Sequence, residues 1–267
     1  MVIDEETKIV SHEPAGPGYR FLVVSAPKLA AALVPGQFVH VKVPGLEASA
    51  LRRPFSVFDA DPDAGTVTVM YKVVGRGTEA LARELPGATV NVLGPLGYGF
   101  PLTCSGVPLL VGGGYGVAPL HFLAKRQVAA GLKPVLFVGG RTKDDLLALD
   151  RFAAMGVEVC TATNDGSAGV KGFVTEPLDD RLIALCERKE NFELFTCGPD
   201  GLLKAVAQRA VGAGKPGWIS MDRHMICGVG ACFACIQKIR LPDGEVYNAR
   251  CCVNGPVFVA KDIVWEG

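Results

Sequence analysis

The sequence lacks an excess of charge of either sign. Lys and Arg together number 27 among 267 residues, as do Asp and Glu, so the formal net charge is zero. Nucleic acids and anionic membrane surfaces attract basic patches, and no long basic run occurs here. The charge pattern therefore argues against nucleic-acid binding and against a polybasic membrane contact.

A long uninterrupted hydrophobic run is also missing. The one uncharged stretch long enough to raise the question of a membrane helix, residues 105–123, contains five glycines and two prolines. It favours a buried strand, a glycine loop and a helix start instead. The chain turns acidic directly after its first residues and shows no signal-peptide pattern, so we expect a cytoplasmic protein with reduced thiols. Internal repeats and low-complexity segments are absent as well.

The first hundred residues are rich in short β-type runs. Val67, Val69 and Tyr71 alternate with mostly polar neighbours, which is the pattern of a half-buried strand. Strands are predicted at 19–25, 37–43, 55–58, 66–74 and 89–93, with one short helix at 78–85. This region, residues 1–104, predicts a small antiparallel barrel.

From about residue 106 the pattern changes to alternating apolar strands and helices. Strands are predicted at 107–111, 134–138, 157–161 and 194–196, and helices at 120–130, 144–154, 176–188 and 200–211. Residues 105–216 therefore predict a parallel α/β domain. A glycine-rich stretch at 212–217 reads as a linker into a small cysteine-rich domain, residues 217–267, so the fold class is multidomain α/β plus β.

Two motifs of the barrel region could together hold a phosphate-bearing ligand. Arg53 begins the run Arg53-Pro54-Phe55-Ser56, and Gly75-Arg76-Gly77-Thr78 follows the strand that carries Tyr71. Each is weak alone, because an arginine beside a proline is often only solvated and Gly-x-Gly-Thr is often only a turn and helix cap. Together they offer a planar cation and the free N–H groups of a helix start to a pyrophosphate.

Two small-residue turns mark the carboxyl ends of predicted strands in the α/β region. Val111-Gly112-Gly113-Gly114-Tyr115-Gly116-Val117-Ala118-Pro119 joins a strand to a helix and would let dinucleotide phosphates approach backbone N–H groups, although it departs from the Rossmann fingerprint. Cys197-Gly198-Pro199 follows a later strand. It suits a ligand at the same edge, or simply a tight turn with a buried thiol.

Five of the nine cysteines lie in the last segment. Cys227, Cys232 and Cys235 have C-x4-C-x2-C spacing, and the adjacent Cys251 and Cys252 follow. The spacing is that of plant-type [2Fe-2S] ligands, in which a remote cysteine supplies the fourth thiolate. Four cysteines also suit structural zinc, but zinc modules usually begin with a pair rather than this triplet. An odd number of cysteines without a signal peptide argues against a disulfide framework.

The remaining cysteines and the histidines carry no motif of their own. We expect three scattered cysteines to pack as small hydrophobic side chains: Cys104, Cys160 and Cys186. Three histidines are isolated in the sequence: His12, His40 and His121. His224 lies near the cysteine loop, where we expect a surface or supporting role rather than ligation.

The order of these motifs, ending in Gly255-Pro256-Val257-Phe258, resembles the ferredoxin-NADP reductase superfamily. Within it, the chain is most similar to the electron-transfer subunits of type B dihydroorotate dehydrogenases, over nearly all its length. The resemblance implies NAD on the middle domain and a [2Fe-2S] cluster on the tail, with Cys252 as the fourth ligand because it stands three residues before the Gly-Pro pair. The implied FAD site comprises Arg53, Pro54, Phe55, Ser56, Met70, Tyr71, Lys72, Gly77 and Thr78. The NAD site would use Gly112, Gly113, Gly114, Gly116, Cys197, Gly198 and Pro199.

The resemblance also implies a function and a partner. Dihydroorotate would be oxidised to orotate on a separate FMN-containing catalytic subunit, and electrons would pass through the cluster and FAD to NAD+. The expected assembly is a heterotetramer of two such chains with two catalytic subunits. No run in this sequence looks like a pyrimidine site, and we assign no residue of this chain to substrate oxidation.

Two other functions stay open. One is a flavin and iron-sulfur subunit of a NAD(P)H:ferredoxin oxidoreductase or sulfide dehydrogenase complex, which would share the same parts and feed another partner. The other is a non-enzymatic zinc-binding module without flavin. The choice of coenzyme is open too, because Asp144 and Asp145 would repel a 2′-phosphate while Arg141 and Lys143 would attract one.

Overall fold

The computed structural model describes residues 1–45 and 51–265. Its first part is a closed barrel of six antiparallel strands, which confirms the predicted barrel. The strands are β1 (Ile3–Gly16), β2 (Tyr19–Ser25), β3 (Phe38–Lys42), β4 (Arg53–Asp61), β5 (Thr66–Lys72) and β6 (Thr89–Leu96). They follow each other around the barrel in the order β1-β2-β5-β4-β3-β6. Two short helices accompany them, α1 (Pro27–Ala32) and α2 (Arg76–Leu81).

Apolar alternation accounts for the strands that the sequence predicts. In β5, Val67, Val69 and Tyr71 are all buried in the barrel core, as their spacing requires. The longest strand, β1, alternates in burial over its first eight residues, but its inner face mixes polar and apolar side chains, and only Thr7 and Ile9 are fully buried. It forms through its ladders to β2 and β6 rather than through a hydrophobic face of its own.

The middle of the chain is a seven-stranded sheet covered by helices, which confirms the predicted parallel α/β domain. Its elements are β7 (Val107–Gly113), α3 (Val117–Ala129), β8 (Val135–Gly140), α4 (Leu149–Ala154), β9 (Glu158–Thr163), β10 (Val170–Lys171), α5 (Thr175–Glu187), β11 (Phe192–Cys197), α6 (Asp200–Gly212) and β12 (Gly217–Ser220). The last segment adds a hairpin of β13 (Ile236–Arg240) and β14 (Val246–Arg250), then α7 (Cys251–Asn254) and β15 (Val257–Val259).

The cysteine-rich segment leaves the central sheet after β12 and returns to it at β15. The strand order is β10-β9-β8-β7-β11-β12-β15, with β12 parallel to β11 and β15 antiparallel to β12. One strand therefore precedes the cysteine segment and another follows it, and both lie in the central sheet. The domain limits at 104/105 and 216/217 remain a prediction; within that division, the third segment supplies two strands to the second.

The helix predicted over 144–154 is divided in the structure. A 3-10 turn covers Lys143–Asp145, and α4 begins only at Leu149, after Ala148 at φ 56°. Side chains compete with the helix here, since Thr142 accepts a hydrogen bond from the N–H of Asp144 and Asp145 accepts one from that of Arg141.

Two apolar cores join the parts into one molecule. On one face of the sheet, Phe21 and Phe58 of the barrel pack with Leu110 and Phe195. On the other face, Phe38 of the barrel shares a core with sheet residues and with Cys235 and Cys252. Among the described residues, no helix is long and apolar enough to cross a membrane.

Candidate functional site

A cavity of about 1170 Å³ lies between the barrel and the sheet. The barrel contributes residues of β4 and β5, and the sheet contributes the carboxyl ends of β7, β8 and β11. This is the edge at which open α/β sheets bind ligands. The structure gathers fourteen of the predicted cofactor residues around the cavity: Arg53, Pro54, Phe55, Ser56, Met70, Tyr71, Lys72, Thr78, Gly113, Gly114, Gly116, Cys197, Gly198 and Pro199.

Arg53 lies against the first turn of α2. A Cβ placed on Gly77 would lie 2.8 Å from the guanidinium Nη2, so only glycine lets the arginine lie over this turn. Thr78 shapes the same turn, since its hydroxyl accepts hydrogen bonds from the N–H groups of Val74 (2.9 Å) and Gly75 (3.2 Å). Gly77 does not line the cavity itself, and its contribution is to make room for Arg53. The pair fits the expected pyrophosphate site.

Tyr71 has a supporting partner that its motif did not reveal. Its hydroxyl is 2.8 Å from Nε2 of His12, whose Nδ1 is 2.9 Å from the carbonyl oxygen of Glu84. Burial raises the pKa of Tyr71 and lowers that of His12, so both are neutral at physiological pH. His12 is therefore not isolated; it fixes a predicted flavin residue whose ring also packs 5.1 Å from that of Phe55.

The sheet wall is formed by small residues. Gly113, Gly114 and Gly116 line the cavity, whereas Gly112 lies below them, against Val117 and Leu120. The loop therefore presents backbone, as phosphate binding requires.

Cys197 closes this wall with a buried thiol. Burial, followed by the nearby charge of Asp222, raises its pKa to about 12. The thiol is thus neutral and offers a small apolar contact at the end of β11.

Asp222 and Arg223, which precede the cysteine loop in the sequence, connect that loop to the cavity. The hydroxyl of Tyr115 donates to Asp222 at 2.8 Å, and burial raises the pKa of Tyr115. Arg223 donates to Asp200 at 2.6 Å and to Gln237 at 2.8 Å. No sequence motif marks these residues, because each contact joins parts of the chain that are distant in sequence.

A second cavity of about 360 Å³ adjoins the first at the end of β8. Within it, Arg141 donates to Asp145 through its side chain and its backbone, both at 3.1 Å, and Tyr19 donates at 3.3 Å. Partial burial works against ionisation, but these hydrogen bonds hold the pKa of Asp145 below its usual value. The carboxylate and the arginine therefore neutralise each other.

The predicted metal ligands form two thiol pairs. The N–H of Cys232 donates to Sγ of Cys227 at 3.4 Å, and the N–H of Cys252 donates to Sγ of Cys235 at 3.5 Å. Burial, and then the neighbouring Cys235, raises the pKa of the Cys252 thiol to about 12. Desolvation would raise the pKa of Cys227, yet N–H groups of the loop, Val229 first among them, lower it to about 6. Such donors favour the thiolate form that iron requires.

The four predicted ligands are all cysteines, and a [2Fe-2S] cluster shares four thiolates between two irons. The chemistry of this donor set fits such a cluster. Across residues 1–45 and 51–265, no three His, Cys, Asp or Glu side chains lie close enough together in this structure to hold a metal ion.

Cys251 and Cys252 both belong to α7, where consecutive side chains diverge by about 100° around the helix axis. The N–H of Cys251 donates to the carbonyl of Cys235 at 2.8 Å, and burial raises the pKa of its thiol to about 12. Cys252 interacts electrostatically with both Cys235 and Cys227, which suits the predicted fourth ligand.

The other cysteines differ in burial. Cys104 and Cys160 are half-buried, and burial raises the pKa of both thiols. Cys186 is exposed, so the expectation that it packs as a core residue is wrong. It follows Leu185 on α5 and falls outside the stripe that this helix buries. His224 is exposed, in agreement with a surface role, while His121 stacks on Phe58 at 3.9 Å and is not isolated.

Three family models match the chain in succession. The first is described as an oxidoreductase FAD-binding domain and covers residues 6–99. An oxidoreductase NAD-binding domain covers residues 110–208. The third, the iron-sulfur cluster binding domain of dihydroorotate dehydrogenase B, covers residues 222–264 and contains all four predicted ligands.

Similar proteins match nearly the whole chain. The dihydroorotate dehydrogenase B (NAD(+)) electron transfer subunit of Geobacillus sp. is 40% identical over 99% of this chain and 100% of that protein. The subunit of the same name from Desulforamulus reducens is 36% identical over 98% of each chain.

Among solved structures, a chain of the NADH-dependent reduced ferredoxin-NADP oxidoreductase superposes with a TM-score of 0.84. It is 31% identical and covers 97% of this chain and 90% of that one. A ferredoxin reductase in carbazole 1,9a-dioxygenase, 23% identical with a TM-score of 0.65 over 80% of this chain and 67% of that one, shares the fold.

Proposed function

The chain belongs to the family of dihydroorotate dehydrogenase B electron transfer subunits, and from that premise we propose that it passes electrons between a partner FMN subunit, which oxidises dihydroorotate to orotate, and NAD+. One observation carries the proposal: a single molecule places a two-walled dinucleotide cavity and two thiol pairs on connected elements. When bound, FAD exchanges a hydride with NAD and single electrons with a [2Fe-2S] cluster.

Each of the two walls of the cavity would bind a different ligand. Arg53 and the first turn of α2 would hold the FAD pyrophosphate, while Tyr71 and Phe55 border the ring system with neutral surfaces. The glycine loop after β7 would receive the NAD phosphates on backbone N–H groups. Because the walls face each other across one cavity, both ligands would bind in the same cavity.

The cysteine loop carries an apolar surface suited to a protein partner. Ile226, Val229 and Phe233 flank the ligands and are 38%, 51% and 56% exposed. Phe233 has φ 56°, an uncommon conformation for a bulky residue, and its ring lies 4.9 Å from the guanidinium of Arg250. An exposed aromatic held this way beside the thiol pairs fits a docking contact for the FMN subunit. We place the entry of electrons from the FMN subunit at this surface.

The same proposal covers assembly and location. Two of these chains would join two catalytic subunits, and the complex would work in the cytoplasm. Nine unpaired thiols favour a reducing compartment.

A related function has its own support. The fold matches a chain of the NADH-dependent reduced ferredoxin-NADP oxidoreductase closely, and such a subunit would need the same cavity and thiols. The relatives at 36–40% identity over nearly full length favour the dihydroorotate reaction instead.

Co-purification tests the assignment. The chain would be expressed with an FMN-containing dihydroorotate dehydrogenase subunit from the same cell and purified through a tag on this chain alone. We expect an equimolar complex that forms orotate from dihydroorotate with NAD+ as acceptor. If the chain does not bind this subunit but reduces ferredoxin with NADH, the related function is established instead.

A further inference from the structure

His40 is a buried histidine that the cavity does not use. It lies on β3, its side chain is fully buried, and neither ring nitrogen has a hydrogen-bond partner among the described residues. Burial, then the charge of Arg52, lowers its pKa to about 4, so the ring is neutral and carries one N–H donor. Buried polar groups nearly always have a partner, and this one calls for an explanation.

On one side, His40 adjoins the predicted flavin wall. Its register partner on β4 is Pro54, and residues directly opposite each other in an antiparallel pair share a face. Pro54 lines the cavity. His40 is thus one strand away from the FAD site.

On the other side, the ring lies against the cysteine loop. A Cβ placed on Gly228 would lie 2.6 Å from Nε2 and 2.9 Å from Nδ1 of His40, and Gly228 has φ +69°. Both facts require glycine directly after Cys227. Phe38, two residues before His40 on the same face of β3, shares a core with Cys235. The outer face of β3 therefore packs against the loop that carries the thiol pairs.

We propose that His40 is a positioning residue of the iron-sulfur site, whose ring supports the loop at Gly228 and donates its N–H to a sulfur of the bound cluster. The inference rests on the proposed [2Fe-2S] function of the tail. Hydrogen bonds to cluster sulfurs stabilise the more negative, reduced state and so raise the reduction potential. A residue of the flavin barrel would in this way set the potential of the neighbouring centre.

The test measures the midpoint potential of the cluster by a redox titration followed by visible circular dichroism on the full-length chain. His40→Phe keeps a ring of similar size without the donor, and His40→Gln restores a donor. His224→Phe is the matched control, because His224 is exposed and lies three residues before Cys227. Iron and flavin contents are measured on every preparation.

We expect His40→Phe to reduce the ratio of reduced to oxidised cluster at a fixed potential about tenfold, which for one electron is about 59 mV. His40→Gln should recover most of this shift, and His224→Phe should show none. Equal potentials in all four proteins would overturn the hydrogen bond.

Loss of the cluster in His40→Phe makes His40→Gln decisive. A cluster retained there supports the donor, whereas loss in both variants leaves only a packing role and overturns the proposal. Absence of [2Fe-2S] iron from the unaltered chain would overturn the proposed function itself, and the iron assay shows this separately.

Discussion

At the scale of single residues, the fourth ligand is the sharpest question. Cys251 and Cys252 both lie in the apolar core and both interact electrostatically with Cys235, and Cys252 also interacts with Cys227. We expect Cys252→Ala to abolish the [2Fe-2S] spectrum while NADH still reduces the flavin, because an iron would lose one of its thiolates. Cys251→Ala should leave the spectrum intact. Iron content and visible circular dichroism of the two variants distinguish the two cysteines. If the cluster is lost only in Cys251→Ala, the fourth ligand is Cys251.

Arg53 offers a second residue-scale prediction. Arg53→Ala should weaken FAD binding by about 1.5–3 kcal/mol, because the pyrophosphate would lose a charged hydrogen-bond donor. Arg52→Ala is the matched control, since Arg52 binds Asp4 and Asn91 away from the cavity. Flavin titration of the apoprotein measures both. Equal affinity in the two variants would remove Arg53 from the site, and cluster iron should be unchanged in either.

We predict that Asp145 influences the choice between NADH and NADPH. Its carboxylate accepts a hydrogen bond from the side chain of Arg141, which would otherwise be available to bind the 2′-phosphate of NADPH. We expect Asp145→Asn to shift the ratio of kcat/KM for NADPH over NADH upward by about tenfold, the effect of about 1.4 kcal/mol. Asp144→Asn is the control, because Asp144 is exposed on the same turn. An equal shift in both variants would indicate general charge rather than release of Arg141.

The sequence motifs predict residues that meet at one cavity, but they do not predict the residues that support them. The Arg53, Gly113 and Cys197 motifs converge on one cavity because local spacing records what a phosphate or a turn requires. His12 and Asp222 escaped prediction because their partners lie far away in the sequence. A single chain gives no signal for such contacts.

At the scale of elements, β15 ties the cysteine segment to the sheet. Phe258 is 7% exposed, pairs with Ile219 of β12 and shares a core with Cys252. Phe258→Ala should cost about 3–5 kcal/mol, the usual range for a buried phenylalanine, and release iron at lower temperature. Ile183→Ala on α5 is the control, since that side chain is 58% exposed. Thermal scans that follow cluster absorbance measure this temperature. If the two variants lose the cluster at the same temperature, the stabilising role of Phe258 is contradicted.

Local patterns identified most strands and helices but not this connection. β5 and β11 are apolar enough to predict, whereas β1 is too polar and the 143–154 region contains side chains that break the helix. The pairing of β12 with β15 across the whole cysteine segment depends on tertiary contacts alone. The sequence therefore predicted the small cysteine-rich segment, but not the two strands, β12 and β15, with which this segment extends the central sheet.

At the scale of the whole molecule, the division of labour can be tested directly. The isolated chain, loaded with FAD, should oxidise NADH with an artificial dye as acceptor, because both walls of the cavity belong to it. It should form no orotate from dihydroorotate under any cofactor supplement. Orotate produced by the purified chain, free of a second subunit, would contradict the proposal.

The position of β15 after the cysteine segment also orders events during synthesis. Chains emerge from the ribosome amino end first, so all four predicted ligands appear before the strand that completes the central sheet. Until then β12 has an open edge, a feature that invites mispairing. The sheet can therefore be completed only after the segment with all four predicted ligands has been synthesised.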